Sequence, residues 1–177
     1  MIGVNFMSVT IEVPAELYSG IHDIARRYGK SVNQVIIEAL INLLDPSKKI
    51  ALYLELHEKF LREFERFYDA GDLVQASEKL WGAITALLNA IGELKNMPHY
   101  THRDYSEIIE CVAEEVKNPQ ITVMFAAAER LHANFYHAFL KKQTFDALKE
   151  QVLALANILK VYIQKRARVS EEDKVNN

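Results

Sequence analysis

One cysteine, one tryptophan, four prolines and six glycines are spread over 177 residues. Cys111 has no second thiol with which to close an internal disulfide, so the chain reads as a protein of a reducing compartment, held together by its core. Scarce Gly and Pro exclude collagen-like and low-complexity architectures. Nothing in the sequence approaches the roughly 20 uninterrupted apolar residues of a membrane-spanning helix. The opening MIGVNF lacks the basic flank and apolar core of a signal peptide. A soluble, cytoplasmic protein with no membrane partner is therefore expected. Neither sign of charge dominates: 21 basic residues face 24 acidic ones, for a net charge of −3. That balance argues against nonspecific polyanion binding by the whole surface and leaves only local basic patches. HExxH and Cys/His zinc spacings, glycine-rich phosphate loops and nucleophile elbows are missing, so neither a metal nor a cofactor is expected. What remains is half hydrophobic and a quarter charged, the balance of a folded, mainly α-helical chain long enough for one bundle and a small appended module.

At the front, Met7, Val9, Ile11 and Val13 alternate with Ser8, Thr10 and Glu12. This pattern predicts a short half-apolar strand, ended by Pro14. A helix with Leu17, Ile21, Ile24 and Tyr28 on one side follows. Gly29 turns the chain, and Ser31 with Gln34 forms a capping box for a second helix through Val32, Val35, Ile36, Leu40 and Leu44, stopped by Asp45-Pro46. One strand and two short helices cannot satisfy the strand's backbone groups or bury that apolar surface alone. The economical solution is an intertwined homodimer, or a higher even oligomer.

The order strand, proline, helix, Gly-x-Ser, helix in VTIEVPAELYSGIHDIARRYGKSVNQVIIEALINLL resembles the ribbon-helix-helix family of DNA-binding dimers. The resemblance implies that the polar strand face, Ser8 and Thr10 beside Glu12, enters the major groove, and that the amides at Ser31 to Asn33 meet a phosphate. Against this, Arg26, Arg27 and Lys30 are outnumbered by Glu12, Glu16, Asp23, Glu38 and Asp45. A module retained for dimerisation alone is the competing reading.

Behind residue 46 the periodicity predicts five helices, over residues 50–69, 72–94, 101–116, 120–140 and 144–162. The organising stretch is GDLVQASEKLWGA: Gly71 ends one helix, Asp72 starts the next with Gln75 completing a capping box, and Leu73, Ala76, Leu80, Ala83, Leu87 and Ile91 form a stripe. With Trp81, Ile84 and Leu88 added, this helix is apolar over most of its circumference and belongs at the centre. Thr101 with Asp104 opens the next helix. Gly82 inside the central helix implies a close backbone neighbour, for which the small run Ala126-Ala127-Ala128 is the expected source. The expected organisation is a ribbon-helix-helix-like dimerisation module at 1–46, an up-and-down helical bundle at 47–167 and a frayed tail at 168–177.

GDLVQASEKLWGA, THRDY and ERLHANFY together are similar to the archaeal PaREP family, a likeness covering nearly all of the chain after Tyr53. Members of that family look like relatives of the HEPN helical bundles, some of which are metal-independent endoribonucleases or partners of nucleotidyltransferases. The likeness therefore implies an HEPN-like five-helix bundle and RNA or a protein as further partners. HEPN ribonucleases use an arginine and a histidine on one helix, and Arg130 with His137 fits the longest such spacing. Asn134 lies between them, and the three share a helix face. The same spacing is also that of an ordinary solvated face. A second group, Glu78, His102, His132 and Tyr136, is expected to form a buried polar cluster, readable either as structural or as a site. The leading expectation is a homodimeric, nucleic-acid-associated or interaction module, with a toxin-type endoribonuclease as the alternative.

Overall fold

A computed structural model describes residues 10, 12–29, 31–41 and 44–175. The chain divides into two compact units, residues 1–44 and 45–177.

In the first unit, α1 (Ala15–Tyr28) and α2 (Val32–Ile41) pack against each other. Gly29 ends α1 in the left-handed region, at φ 62°, and its amide is donated to the carbonyls of Ala25 and Arg26. Glycine adopts that conformation without the steric cost a side chain brings. Of the expected strand at residues 7–13, most falls outside the described residues. Thr10, Glu12 and Val13 are neither helix nor strand, and among the described residues no strand is present.

The second unit contains five helices: α3 (Pro46–Asp69), α4 (Leu73–Lys95), α5 (His102–Glu115), α6 (Gln120–His137) and α7 (Lys142–Val175). Asp45-Pro46 was expected only to stop the preceding helix. It also starts α3, with Asp45 at the N-cap and Pro46 in the first turn, where a missing N–H costs nothing. Gly71, at φ 77°, turns the chain into α4, and the Asp72 side chain accepts from the Gln75 amide at 3.0 Å. α4 is buried along nearly its whole length, from Ala76 to Gly92, and packs against α3, α5, α6 and α7. Its Leu80, Ile84, Leu87, Leu88 and Ile91 are fully enclosed. A helix apolar on every side has only the centre of a bundle to occupy.

Two expectations are corrected. Gly82 does not admit a backbone from α6. A Cβ there would meet the Phe60 ring of α3 at 3.2 Å, so the small residue makes room for an aromatic side chain. Helix α6 ends at His137 and not at residue 140, because Ala138 turns left-handed and the Asn134 side-chain oxygen accepts from the Leu140 amide at 2.8 Å; Phe139, just beyond this end, is exposed. Helix α7 includes residues 168–175 as helical backbone. Their sequence, RVSEEDKV, contains neither Gly nor Pro to stop it.

Two polar pins fasten the bundle. At one, Glu115 at the end of α5 accepts from Lys95 of α4 and from Tyr162 and Arg166 of α7, and these donors hold its carboxyl down at about 2. At the other, the Tyr68 hydroxyl of α3 donates to Asp146 of α7 at 2.6 Å while Lys142 donates to the same hydroxyl at 2.7 Å.

A candidate polar site around Trp81

Trp81, the only tryptophan, lies one turn beyond Glu78 on the buried helix α4. The adjoining helices bring aromatic rings to it: Tyr105 from α5 and Phe125 from α6 flank the indole at centroid distances of 6.1 and 5.9 Å. His132 of α6 stacks on it at 4.6 Å and His102 of α5 at 5.2 Å. The two imidazoles are 5.3 Å apart. That is too short for rings on opposite faces of an indole, so they lie side by side over one face. Tyr136, one turn beyond His132, sets its ring edge-on to the imidazole at 5.1 Å.

Each imidazole has a carboxylate. His132 Nδ1 is 3.5 Å from Glu78 Oε2, and His102 Nδ1 is 3.7 Å from Glu129 Oε1. The two pairs differ in depth: His132 and Glu78 are largely enclosed, whereas His102 and Glu129 are open to solvent. Tyr136 is half exposed, yet its phenol is pushed above its ordinary value by burial first and by the Glu78 carboxylate second. The arrangement is graded, with a floor of Trp81, Glu78 and His132 and a rim of His102, Glu129 and Tyr136. Chemically, it can hold and move protons between imidazole, carboxylate and phenol. Among the described residues, no group of three or more His, Cys, Asp or Glu is placed to hold a metal ion.

The structure thus brings together Glu78, His102, His132 and Tyr136 from three helices. Sequence reading missed Trp81 and Glu129 as members. The signal was present, since Glu129, His132 and Tyr136 stand at i, i+3 and i+7 and so share a face of α6, while Glu78 and Trp81 are one turn apart on α4.

The candidates Arg130, Asn134 and His137 fare differently. Arg130 and His137 are exposed, and Arg130 sits over the Phe139 ring at 5.4 Å. Asn134 is buried and committed elsewhere: its amide donates to Ser77 Oγ at 2.9 Å while its oxygen takes the Leu140 amide. Ser77 in turn donates to the Leu73 carbonyl at 2.8 Å. Asn134 therefore fastens α6 to α4 and ends α6. The polar face inferred from spacing is covered at that point by the returning chain. Of the nucleic-acid candidates, Thr10, Ser31 and Asn33 are exposed, and Ser8 lies outside the described residues.

Two further buried histidines escaped the sequence reading. His57 Nδ1 donates to the Ala83 carbonyl at 2.9 Å, and burial drives its pKa below the ordinary imidazole value. His99 Nδ1 donates to the Met97 carbonyl at 2.8 Å, and its Nε2 lies 3.3 Å from Glu93, which also accepts from Lys49. No local pattern announces either, because both depend on contacts made after the helices have packed.

In comparisons with known proteins, the model of the archaeal PaREP1/PaREP8 family matches residues 52–156. That span takes in Glu78, Trp81, His102, Glu129, His132 and Tyr136. No curated protein and no solved structure matches the chain.

Proposed function

We propose, from the premise that this chain belongs to the archaeal PaREP1/PaREP8 family, that the protein is a homodimeric module whose N-terminal unit joins two copies and places the paired bundles on duplex DNA. The observation that carries this reading is the surface of the first unit. Leu17, Tyr18, Ile24, Tyr28 and Leu40 are between 44% and 64% exposed in a single chain. Enclosing a large apolar side chain stabilises by about 1.5–3 kcal/mol. Five on two short helices therefore supply enough driving force to offset the entropy of association. A second copy is the partner that the ribbon-helix-helix-like order calls for, since the strand expected from the alternation at residues 7–13 would leave its backbone groups unsatisfied in one copy.

The DNA half of the proposal rests on the exposed polar residues Thr10, Ser31 and Asn33. Arg26 and Arg27 in the last turn of α1 supply nearby positive charge. A gel shift of duplex DNA that weakens with salt and disappears on Ser31→Asp or Thr10→Ala is the expected result; no shift at low salt refutes it. The endoribonuclease alternative retains Arg130 and His137 but has lost Asn134 to the bundle interior. RNA cleavage abolished by both Arg130→Ala and His137→Ala would replace the present reading. A role as partner of a nucleotidyltransferase is tested by co-purification from the native host.

A further inference from the structure

Three imidazoles are buried in the bundle, and comparing their two nitrogens separates one from the others. In His57, Nδ1 holds the Ala83 carbonyl and Nε2 is enclosed 4.0 Å from Glu58. In His99, Nδ1 holds the Met97 carbonyl and Nε2 is enclosed beside Glu93. Both rings are fixed at a backbone group and closed off at the other end, as structural histidines are. His132 is built differently. Its Nδ1 and the facing Glu78 Oε2 are both enclosed without a hydrogen bond, 3.5 Å apart, while its Nε2 is neither enclosed nor hydrogen-bonded. Trp81 fixes the ring plane from one side and Tyr136 touches it edge-on. A carboxylate behind one nitrogen and an open second nitrogen make the arrangement of a general base, and such pairs tighten when the imidazole takes up a proton.

We propose that Glu78 and His132 form an acid–base dyad, a hydrolytic site for an uncharged acyl substrate. His132 is its catalytic residue and Glu78 its positioning residue. His132 Nε2 takes a proton from water as the water oxygen bonds to the acyl carbon, and Glu78 stabilises the resulting imidazolium through Nδ1. On collapse, the bond from the acyl carbon to the leaving oxygen breaks. The leaving group keeps the electron pair, and the proton on His132 goes to it or to solvent. Anionic acyl substrates are disfavoured by the charges paired with the imidazoles, Glu78 and Glu129, which repel phosphate and carboxylate groups.

The test uses the full chain with p-nitrophenyl acetate, an uncharged ester, in the presence of a chelator. The expected result is hydrolysis that falls at least about ten-fold in His132→Gln. His22→Gln, on α1, is expected to leave the rate unchanged. Glu78→Gln is expected to lower kcat several-fold with KM little changed, since the imidazolium formed in the reaction loses its facing carboxylate, and Glu78→Asp is expected to restore part of the rate. Equal rates in wild type and a folded His132→Gln protein overturn the proposal, as does an unchanged kcat in Glu78→Gln. Should His132→Gln fail to fold, diethyl pyrocarbonate labelling of the wild-type chain decides. Labelling of His132 ahead of His57 and His99 supports the dyad; protection equal to theirs refutes it.

Discussion

The two units handle apolar surface in opposite ways. In the second, α4 is surrounded by four helices and its apolar side chains are enclosed. In the first, α1 and α2 pack against each other, and large apolar groups such as Leu17 and Tyr28 are exposed. The contrast does not come from a lack of apolar residues, since α2 is richer in branched aliphatics than α4. It follows the number of helices in each unit: five pack around one another in the second and two in the first.

The sharpest way to break the self-contained half is at Gly92. A Cβ there would lie 2.6 Å from the His99 Cβ and ring, atoms too near the backbone to swing away. Gly92→Ala is expected to destabilise by about 3 kcal/mol or more, measured by urea unfolding, because overpacking a closed core displaces backbone. Gly82→Ala should behave otherwise. Its Cβ would meet the face of Phe60 at 3.2 Å, and the gain in helix propensity offsets much of the crowding. A net change within about 1 kcal/mol is expected. The open half gives the intermediate case. Leu40→Ala removes a side chain that is 53% exposed in one chain. A surface site would cost no more than about 0.5 kcal/mol, whereas a loss of about 2 kcal/mol that depends on protein concentration is expected if a second copy covers it.

The smallest expected effects are in pH. Burial lowers the His57 pKa in the fold, so the unfolded chain takes up the proton first. The stability supplied by the neutral ring is complete above about pH 6.5 and falls as the pH drops below it; His57→Gln should flatten that part of the stability curve. Glu115, held at about 2 by Lys95, Tyr162 and Arg166, stabilises above the usual carboxylate range and loses its contribution as pH falls toward 2. Glu115→Gln should flatten this second, more acidic limb, read by thermal unfolding at stepped pH.

Much of the second unit could be read before any coordinates, because its signals are local. Asp72 and the reciprocal Thr101/Asp104 pair open α4 and α5 where the residues indicated. The stripe along GDLVQASEKLWGA identified the central helix. What could not be read depends on the approach of distant residues. Gly82 implied a neighbour but not that it was Phe60, and Gly92 gave no sign of His99 because nothing in the local pattern shows where the 96–101 turn folds back. Asn134 stood on a polar face by spacing, and only the turn at Ala138 carried it inside. At the candidate site, Glu78, His102, His132 and Tyr136 could be named together, but their organisation around Trp81 required three helices to meet.

The proposed homodimer requires that a second copy cover the exposed apolar groups of the N-terminal unit. Sedimentation equilibrium of the full chain across micromolar concentrations tests it directly. A mass of two chains, or an even multiple, that falls toward one chain in a Tyr28→Glu/Leu40→Glu variant with an intact bundle is the predicted result. A mass of one chain, 20.3 kDa, throughout that range would contradict it.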